Sequence, residues 1–301
     1  MVITPRKLKE FFAQGKNITA LLREQHNTSL NTEEIIELAY DLQAGSYIKG
    51  MESAVLSEHK REYSREIADI ISSLCKPDSI MEAGVGEATT FSGVLKSLSP
   101  DITSYGFDIS WSRVAYARQW LYKHELTTTH LCTGSLFEIP FMDNSIDVVY
   151  TSHSIEPNGG NEKAIITELY RVAKKYLILL EPGYELASDE VRQRMDAHGY
   201  CKNLKETAYS LGYNVLEHKL FPYSANPLNP TAITVIEKNE SNLCSAGVFA
   251  CPKYKTSLEE LGGMMFSEEG LTVYPVIDGI PCLRTENGII AGKYRELIQG
   301  R

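Results

Sequence analysis

Between residues 65 and 238, short and nearly continuous apolar runs alternate with segments whose apolar residues recur every three or four positions. The helical segments pass through Ile67, Ile70, Ile71 and Leu74, then run from about Thr89 to Leu98, Arg113 to Lys123, Asn161 to Val172, Asp189 to His198 and Asn203 to Leu211. Between them lie the strand candidates Ser79-Ile80-Met81, Ile102 to Phe107, His130 to Thr133, Ile146 to Tyr150 and Tyr176 to Leu180. A strand apolar at successive positions must be covered on both faces, and intervening helices supply the cover. The pattern therefore predicts a doubly wound α/β sheet. Val215 to Phe221 and Thr231 to Glu237, joined through prolines 222, 227 and 230, are expected to close it as an antiparallel pair.

Residues 1–60 read as a separate helical region that packs onto the core or forms a lid over a pocket. Leu8, Phe11 and Phe12 mark a first helix ending at Gln14-Gly15. Asn31-Thr32-Glu33-Glu34 joins a capping side chain to acids at the positive end of a helix carrying Ile35, Ile36, Leu38 and Ala39. Residues 61–240 hold the sheet, and the polar stretch Lys238 to Gly247 reads as a linker. Residues 241–301 read as a small β-rich domain, with Leu271 to Val276 extended and a tight Asp278-Gly279 turn. So short a segment makes a marginal core alone and is expected to rest on the main domain.

A hydrophobic fraction of 43% and a charged fraction of 23% suit an ordinary folded chain. The net charge of -9 repels nucleic acid and anionic membranes unless a basic patch reverses it. The densest basic run, Arg171 to Lys175, is broken by Val172 and Ala173 and does not. No signal-peptide pattern and no membrane-spanning apolar stretch are read. The six cysteines are scattered, which points to a reducing cytoplasm.

Chemistry begins at Glu82-Ala83-Gly84-Val85-Gly86, where a strand runs into a glycine turn and a helix. Glycines let backbone approach a ligand closely. At the end of the next strand, Asp108 is placed to accept hydrogen bonds from a ribose diol. Ala88 and Thr89 stand where a dinucleotide site places its last glycine, and Glu82 would repel a pyrophosphate. An acid there suits a ligand carrying an amine and a sulfonium.

Residues 78 to 183 resemble the class I S-adenosylmethionine-dependent methyltransferases, with a type 11-like pattern and the Rossmann-like sheet that this implies. Glu82 to Gly86 matches the family's first motif, around the methionine moiety, with Glu82, Gly84 and Gly86 as the residues carried over. Asp108 matches its ribose acid, and Ile109 follows where an apolar side chain flanks adenine. Gly134-Ser135-Leu136 with Ile139-Pro140-Phe141 resembles the adenine-end motif, although Ser135 replaces the usual acid. Asp147 to Tyr150 and Glu181-Pro182-Gly183 resemble the fourth and fifth strands with their turns. The implied cofactor is S-adenosylmethionine, with Tyr40 and Tyr47 closing over its methionine end.

Methyl transfer needs an aligned acceptor and, for some acceptors, a base. His153 and Glu156 follow the fourth strand, at the edge where open α/β sheets bind ligands, and are the catalytic candidates. The competing reading of His153 is a cap or packing residue. Asn158, Glu181, Tyr184, Tyr223, Asn226 and Asn229 are candidates for holding the acceptor, as are Arg23 and Gln43. Tyr40 to Tyr47 and His153 to Gly160 resemble small-molecule methyltransferases of sugar or cell-surface biosynthesis. The resulting expectation is O- or N-methylation of a small polar metabolite. An RNA or translation-protein methyltransferase, and a noncatalytic cofactor-binding scaffold, are the alternatives. An isologous homodimer through the N-terminal helices is a further expectation.

Residues 250 to 283 resemble the zinc-ribbon-like domains that partner such methyltransferases, in Tyr274-Pro275 and Asp278-Gly279-Ile280-Pro281. The paired cysteines are missing: Cys251 stands alone, Met264 to Glu269 contains none, and Cys244 and Cys282 lie outside the pattern. A tetrahedral set is not completed, so no zinc is expected. Tyr254, Met264, Met265 and Phe266 are expected to replace it by apolar packing.

Overall fold

A computed structural model describes residues 3–238 and 247–300. Five helices come first: α1 (Pro5–Ala13), α2 (Ile18–His26), α3 (Glu33–Leu42), α4 (Ser46–Gly50) and α5 (Ala54–Leu74). The central unit follows as β1 (Ser79–Ala83), α6 (Phe91–Ser97), β2 (Thr103–Asp108), α7 (Trp111–Lys123), β3 (His130–Thr133), β4 (Ile146–Ser152), α8 (Glu162–Val172) and β5 (Ala173–Pro182). It ends with α9 (Asp189–His198), α10 (Leu204–Ser210), β6 (Asn214–Leu220) and β7 (Thr231–Glu237). The sheet order is β3-β2-β1-β4-β5-β7-β6, parallel except for β7 and β6, which are antiparallel as expected.

The apolar runs are explained by two cores. Val149, Leu177 and Leu179 pack into one, with Ile165, Leu169 and Phe141. Their neighbours Val148, Tyr150, Ile178 and Leu180 point the other way, against Ile67, Ile71, Phe91 and Leu121. Successive residues of one strand face opposite sides, so both sets must be apolar. A third cluster of Leu8, Ile18, Leu22, Ile35 and Ala39 holds α1 to α3 together. Thr32 caps α3 by accepting from the Ile35 N–H at 3.3 Å. Asn31, expected at the same helix start, is instead buried and donates to the Pro157 carbonyl at 2.9 Å. The α5 helix runs unbroken through residue 60.

The C-terminal region is β-rich: β8 (Glu259–Leu261), β9 (Met264–Ser267), β10 (Thr272–Tyr274), β11 (Val276–Ile277), β12 (Ile280–Pro281), β13 (Ile289–Ile290), then α11 (Tyr294–Gln299). Asp278 and Gly279 turn β11 into β12 with φ of 50° and 73°. This region adds to the central sheet's edge, where Cys282 bridges Thr133 in parallel, and Met142 N–H donates to the Val248 carbonyl at 3.0 Å. Cys251, Met265, Tyr274 and Leu283 join the same buried cluster as Phe107 and Phe141. Met265 and Phe266 are buried, but Tyr254 is 45% exposed and does not take the packing role expected of it. The linker candidate Lys238 to Gly247, and with it Cys244, lies mostly outside the described residues. No described helix is long and apolar enough to cross a membrane.

Candidate active site

The carboxyl edge of the sheet opens onto a cavity of about 460 Å3, walled on one side by α3, α4 and the start of α5. That volume lies in the range of small-molecule sites. The glycine turn forms its floor. Gly84 has φ of 75°, and a Cβ there would fall 2.2 Å from the Ser154 side chain. Only glycine lets the turn pass so close beneath the loop after β4. Gly86, at φ of 53°, donates its N–H to Asp108 Oδ2 at 3.0 Å. Ser110 N–H donates to Oδ1, also at 3.0 Å. A carboxylate so held keeps lone pairs for further donors, as a vicinal diol requires. Burial raises the Asp108 pKa, against the pull of Arg113 and these backbone donors.

Glu82, one residue before the end of β1, lines the same cavity and is 2% exposed. Burial pushes its pKa up to about 8, opposed by the Tyr150 hydroxyl, which donates to Oε2 at 2.9 Å, and by Lys60. A cationic ligand beside it would restore the ionised form. The acid at the glycine turn, the acid after β2 and the apolar Ile109 and Leu136 on the wall fit a nucleoside joined to a cationic, amine-bearing arm.

Tyr40 and Tyr47 both reach the wall, and each faces Arg113. The guanidinium carbon sits 4.7 Å from one ring centre and 4.6 Å from the other, a favourable cation–π arrangement. Arg113 Nε also donates to the Tyr40 carbonyl at 3.0 Å. Glu87 accepts from the Gly45 and Ile48 N–H groups at 2.9 and 2.8 Å. Arg113, Glu87 and Lys60 were absent from the sequence candidates. Each reads in sequence as an ordinary exposed helix or loop charge, and only their partners from distant segments reveal them.

His153 lines the cavity in the left-handed region, at φ of 57°, which is uncommon for a residue with a Cβ. Its Nδ1 pairs with Glu156 Oε2, and its Nε2 lies 2.8 Å from Thr231 Oγ1. Burial works against the imidazolium, yet the Glu156 hydrogen bond and charge outweigh it and raise the His153 pKa. Burial likewise opposes ionised Glu156, while His153 and Asn229 pull its pKa below the ordinary value. Asn158 is buried on the wall and donates to the Ser154 carbonyl at 3.2 Å.

Other candidates stand behind the wall. Glu181 Oε1 accepts from Ser154 and Ile155 N–H, both at 3.1 Å, and Oε2 from Glu156 N–H at 3.0 Å, so it shapes the loop after β4. Burial lifts its pKa to about 7. Ser135 donates to Glu33 and accepts from Phe137 N–H, shaping its own turn. Asn229 donates to Glu156 Oε2 at 3.1 Å. Tyr184 donates to Asp196, Tyr223 packs edge-on to Phe221, and Asn226 accepts from Leu228 N–H. Gln43 caps the end of α3, and Arg23 on α2 lies near Gly199. From the proline-rich segment it is Ala225 that lines the cavity.

A profile described as a methyltransferase domain matches residues 74–229, just over half of the chain. The chain belongs to the methyltransferase-domain family. It is an enzyme that uses S-adenosylmethionine. Among solved structures, magnesium protoporphyrin IX methyltransferase from Synechocystis PCC 6803 with bound SAH is similar at a TM-score of 0.53, with 13% identity over 69% of this chain and 100% of that one. With bound SAM the same protein gives a TM-score of 0.52 and 14% identity over 70% and 98%. A chain from the complex between the Haloferax volcanii Trm112 methyltransferase activator and a methyltransferase gives 0.50 and 16% over 66% and 96%. These likenesses concern the fold. No curated protein is significantly similar to the chain.

Proposed function

We propose that this methyltransferase acts on a small polar metabolite, at oxygen or nitrogen, with a sugar or cell-surface precursor as the leading class. The observation that carries this reading is the cavity itself: Ser152, His153, Asn158, Lys60 and His59 all line a space of about 460 Å3. The bound cofactor supplies an electrophilic methyl group on a sulfonium. An acceptor oxygen or nitrogen taking that methyl would have to give up its proton to a group of this chain. In this reading His153 in its neutral form takes that proton, and its Nδ1 contact with Glu156, which would orient the ring, supports the role. Nε2 must first exchange its Thr231 partner for the acceptor. Asn158, Ser152 and Ser154 line the adjoining wall as orienting groups.

The helices α1 to α4 serve as a lid in this reading, supported by the Glu87 and Arg113 contacts. Residues 247–300 serve as an accessory domain in cis, of the kind that elsewhere partners methyltransferases as a separate chain. Its strand addition beside Thr133 supports that role. Mass spectrometric tracing of labelled methyl from S-adenosylmethionine into fractionated small metabolites, RNA and protein tests the whole proposal. Label in the small-metabolite pool with weak salt dependence is expected. Label in RNA, lost steeply as salt rises, would replace this reading with the macromolecular one.

A further inference from the structure

Outside the cavity wall, two arginines and a histidine gather where the end of α9 approaches α2. Arg23 on α2 is half-buried, and its Nη1 lies 3.7 Å from where a Cβ on Gly199 would stand. His198 is the last residue of α9 and stacks on Tyr200, with ring centres 5.3 Å apart and planes at 24°. Arg194, one turn earlier on the same helix, donates from Nη1 to the Leu228 carbonyl at 3.1 Å. Among the described residues no carboxylate lies within 4.0 Å of Arg23, Arg194 or His198. The nearby acids are engaged elsewhere, Asp196 with Lys202 and Glu156 with His153. In a chain of net charge -9, guanidiniums brought together without an acid mark a place for an outside anion.

This cluster and the cavity share their supports. Cys201 N–H donates to the Glu156 carbonyl at 2.9 Å, and Gly159 N–H to the Gly199 carbonyl at 3.1 Å. Residues 199–201 are thus bonded to the loop whose Pro157 and Asn158 line the cavity. The Tyr200 hydroxyl lies between the Glu156 carboxylate and the Arg194 guanidinium. The Leu228 carbonyl held by Arg194 belongs to the segment whose Ala225 also lines the cavity. Burial, then Arg194 and Arg23, lowers the His198 pKa against the pull of Glu156. Near neutral pH the ring is therefore an uncharged N–H donor beside two guanidiniums. Donors from two helices suit a tetrahedral group with several anionic oxygens, whereas a carboxylate offers two oxygens and one charge. We propose that Arg23, Arg194 and His198 bind a phosphate group carried by the methyl acceptor, whose reacting atom lies at His153 in the adjoining cavity. This inference rests on the small-acceptor reading and narrows it to phosphorylated metabolites.

Two measurements on the full chain test the phosphate site. In the first, inorganic phosphate is titrated into protein saturated with S-adenosylhomocysteine, at an ionic strength held constant with chloride, while NMR follows the His198 imidazole. A saturable shift is expected, weakened roughly tenfold in Arg23→Gln and partly recovered in Arg23→Lys. Affinity for S-adenosylhomocysteine should stay unchanged in both variants. No saturable shift, or the same phosphate affinity in Arg23→Gln, overturns the site. An equal loss for phosphate and S-adenosylhomocysteine overturns it as well, since the arginine would then support the fold alone. If Arg23→Gln does not fold, the unmodified protein still decides, through the product that carries labelled methyl. That product should bind an anion exchanger and lose retention after treatment with phosphodiesterase and phosphatase. A small product that is neutral, or anionic but resistant to both enzymes, sinks the phosphate site and leaves the small-acceptor reading standing. Label confined to RNA or protein removes that reading itself, and the phosphate site with it.

Discussion

His153 shows how one residue can be committed by its neighbours. Its ring is bracketed by Glu156 and Thr231, on a left-handed backbone position, so its orientation is set before any acceptor arrives. The sign of its pH dependence follows from the pair. The His153 pKa is raised above 6.5, so the stability gained from pairing is complete below that value and lost as pH rises through the folded pKa. The Glu156 pKa is depressed below 4.5, so its share is present above that value and lost as pH falls through the folded pKa. The pair therefore stabilises the fold most between about 4.5 and 6.5. Turnover that needs neutral imidazole should instead rise with pH through the raised value. Glu156→Gln removes the anion, and burial then lowers the His153 pKa. The rate profile and the imidazole titration followed by NMR should both move to lower pH. Movement of the titration with a fixed rate profile would remove His153 as the base.

At the scale of elements, the decisive joint is between the N-terminal helices and the glycine turn. Glu87 lies in the turn and holds the start of α4, accepting from Gly45 just before the helix and from Ile48 in its first turn. Asp41 at the end of α3 accepts from the Ser110 hydroxyl at 2.7 Å and so binds the segment after β2. The cavity wall and the glycine turn are thus one hydrogen-bonded unit, although the bonded residues stand 39 to 69 positions apart in the chain. Hydrogen bonds to a charged group contribute about 1.5–3 kcal/mol each, and leaving buried donors unpaired adds a cost. Glu87→Ala is expected to speed amide exchange across residues 43–51 and to weaken cofactor binding at least tenfold, while exchange in β4 and β5 stays slow. Unchanged exchange in residues 43–51 would mean that Glu87 does not fasten the wall.

On the scale of the whole molecule, the described C-terminal residues share the core of the central sheet. Cys251, Met265, Tyr274 and Leu283 pack into the cluster that also contains Phe107, Phe141 and Leu177. Cys251 Sγ lies 3.4 Å from the Tyr274 hydroxyl, and Cys282 Sγ lies 3.7 Å from the Ile280 carbonyl. Among the described residues no group of three or more His, Cys, Asp or Glu side chains has a metal-holding arrangement. Apolar packing against the sheet is expected to supply the cross-link that a metal supplies in other small domains. Elemental analysis should find well under one zinc per chain, and a chelator should leave Tm unchanged. Residues 247–300 and the central sheet should unfold in one denaturant transition. Near-stoichiometric zinc whose removal unfolds residues 248–301 would overturn this account.

The strand and helix pattern was legible because its physics is local. Val148 to Tyr150 and Leu177 to Leu180 are apolar at every position, and a strand with such a run has two faces to bury. The glycine turn and Asp108 were legible for a similar reason: backbone conformation and a strand-end acid leave a mark at fixed spacing. The aromatic partners of Arg113, the anchoring of the wall by Glu87 and the facing of Lys60 toward Glu82 left none. Each depends on side chains brought together from separate elements, and a charged residue on a helix looks the same in sequence whether it meets water or a buried partner. Glu181, Tyr184 and Asn226 mark the converse limit. Their loops were placed near the right sheet edge, but whether a side chain points into a cavity or back onto its own backbone is decided by packing and hydrogen bonding around it, which only the tertiary structure sets.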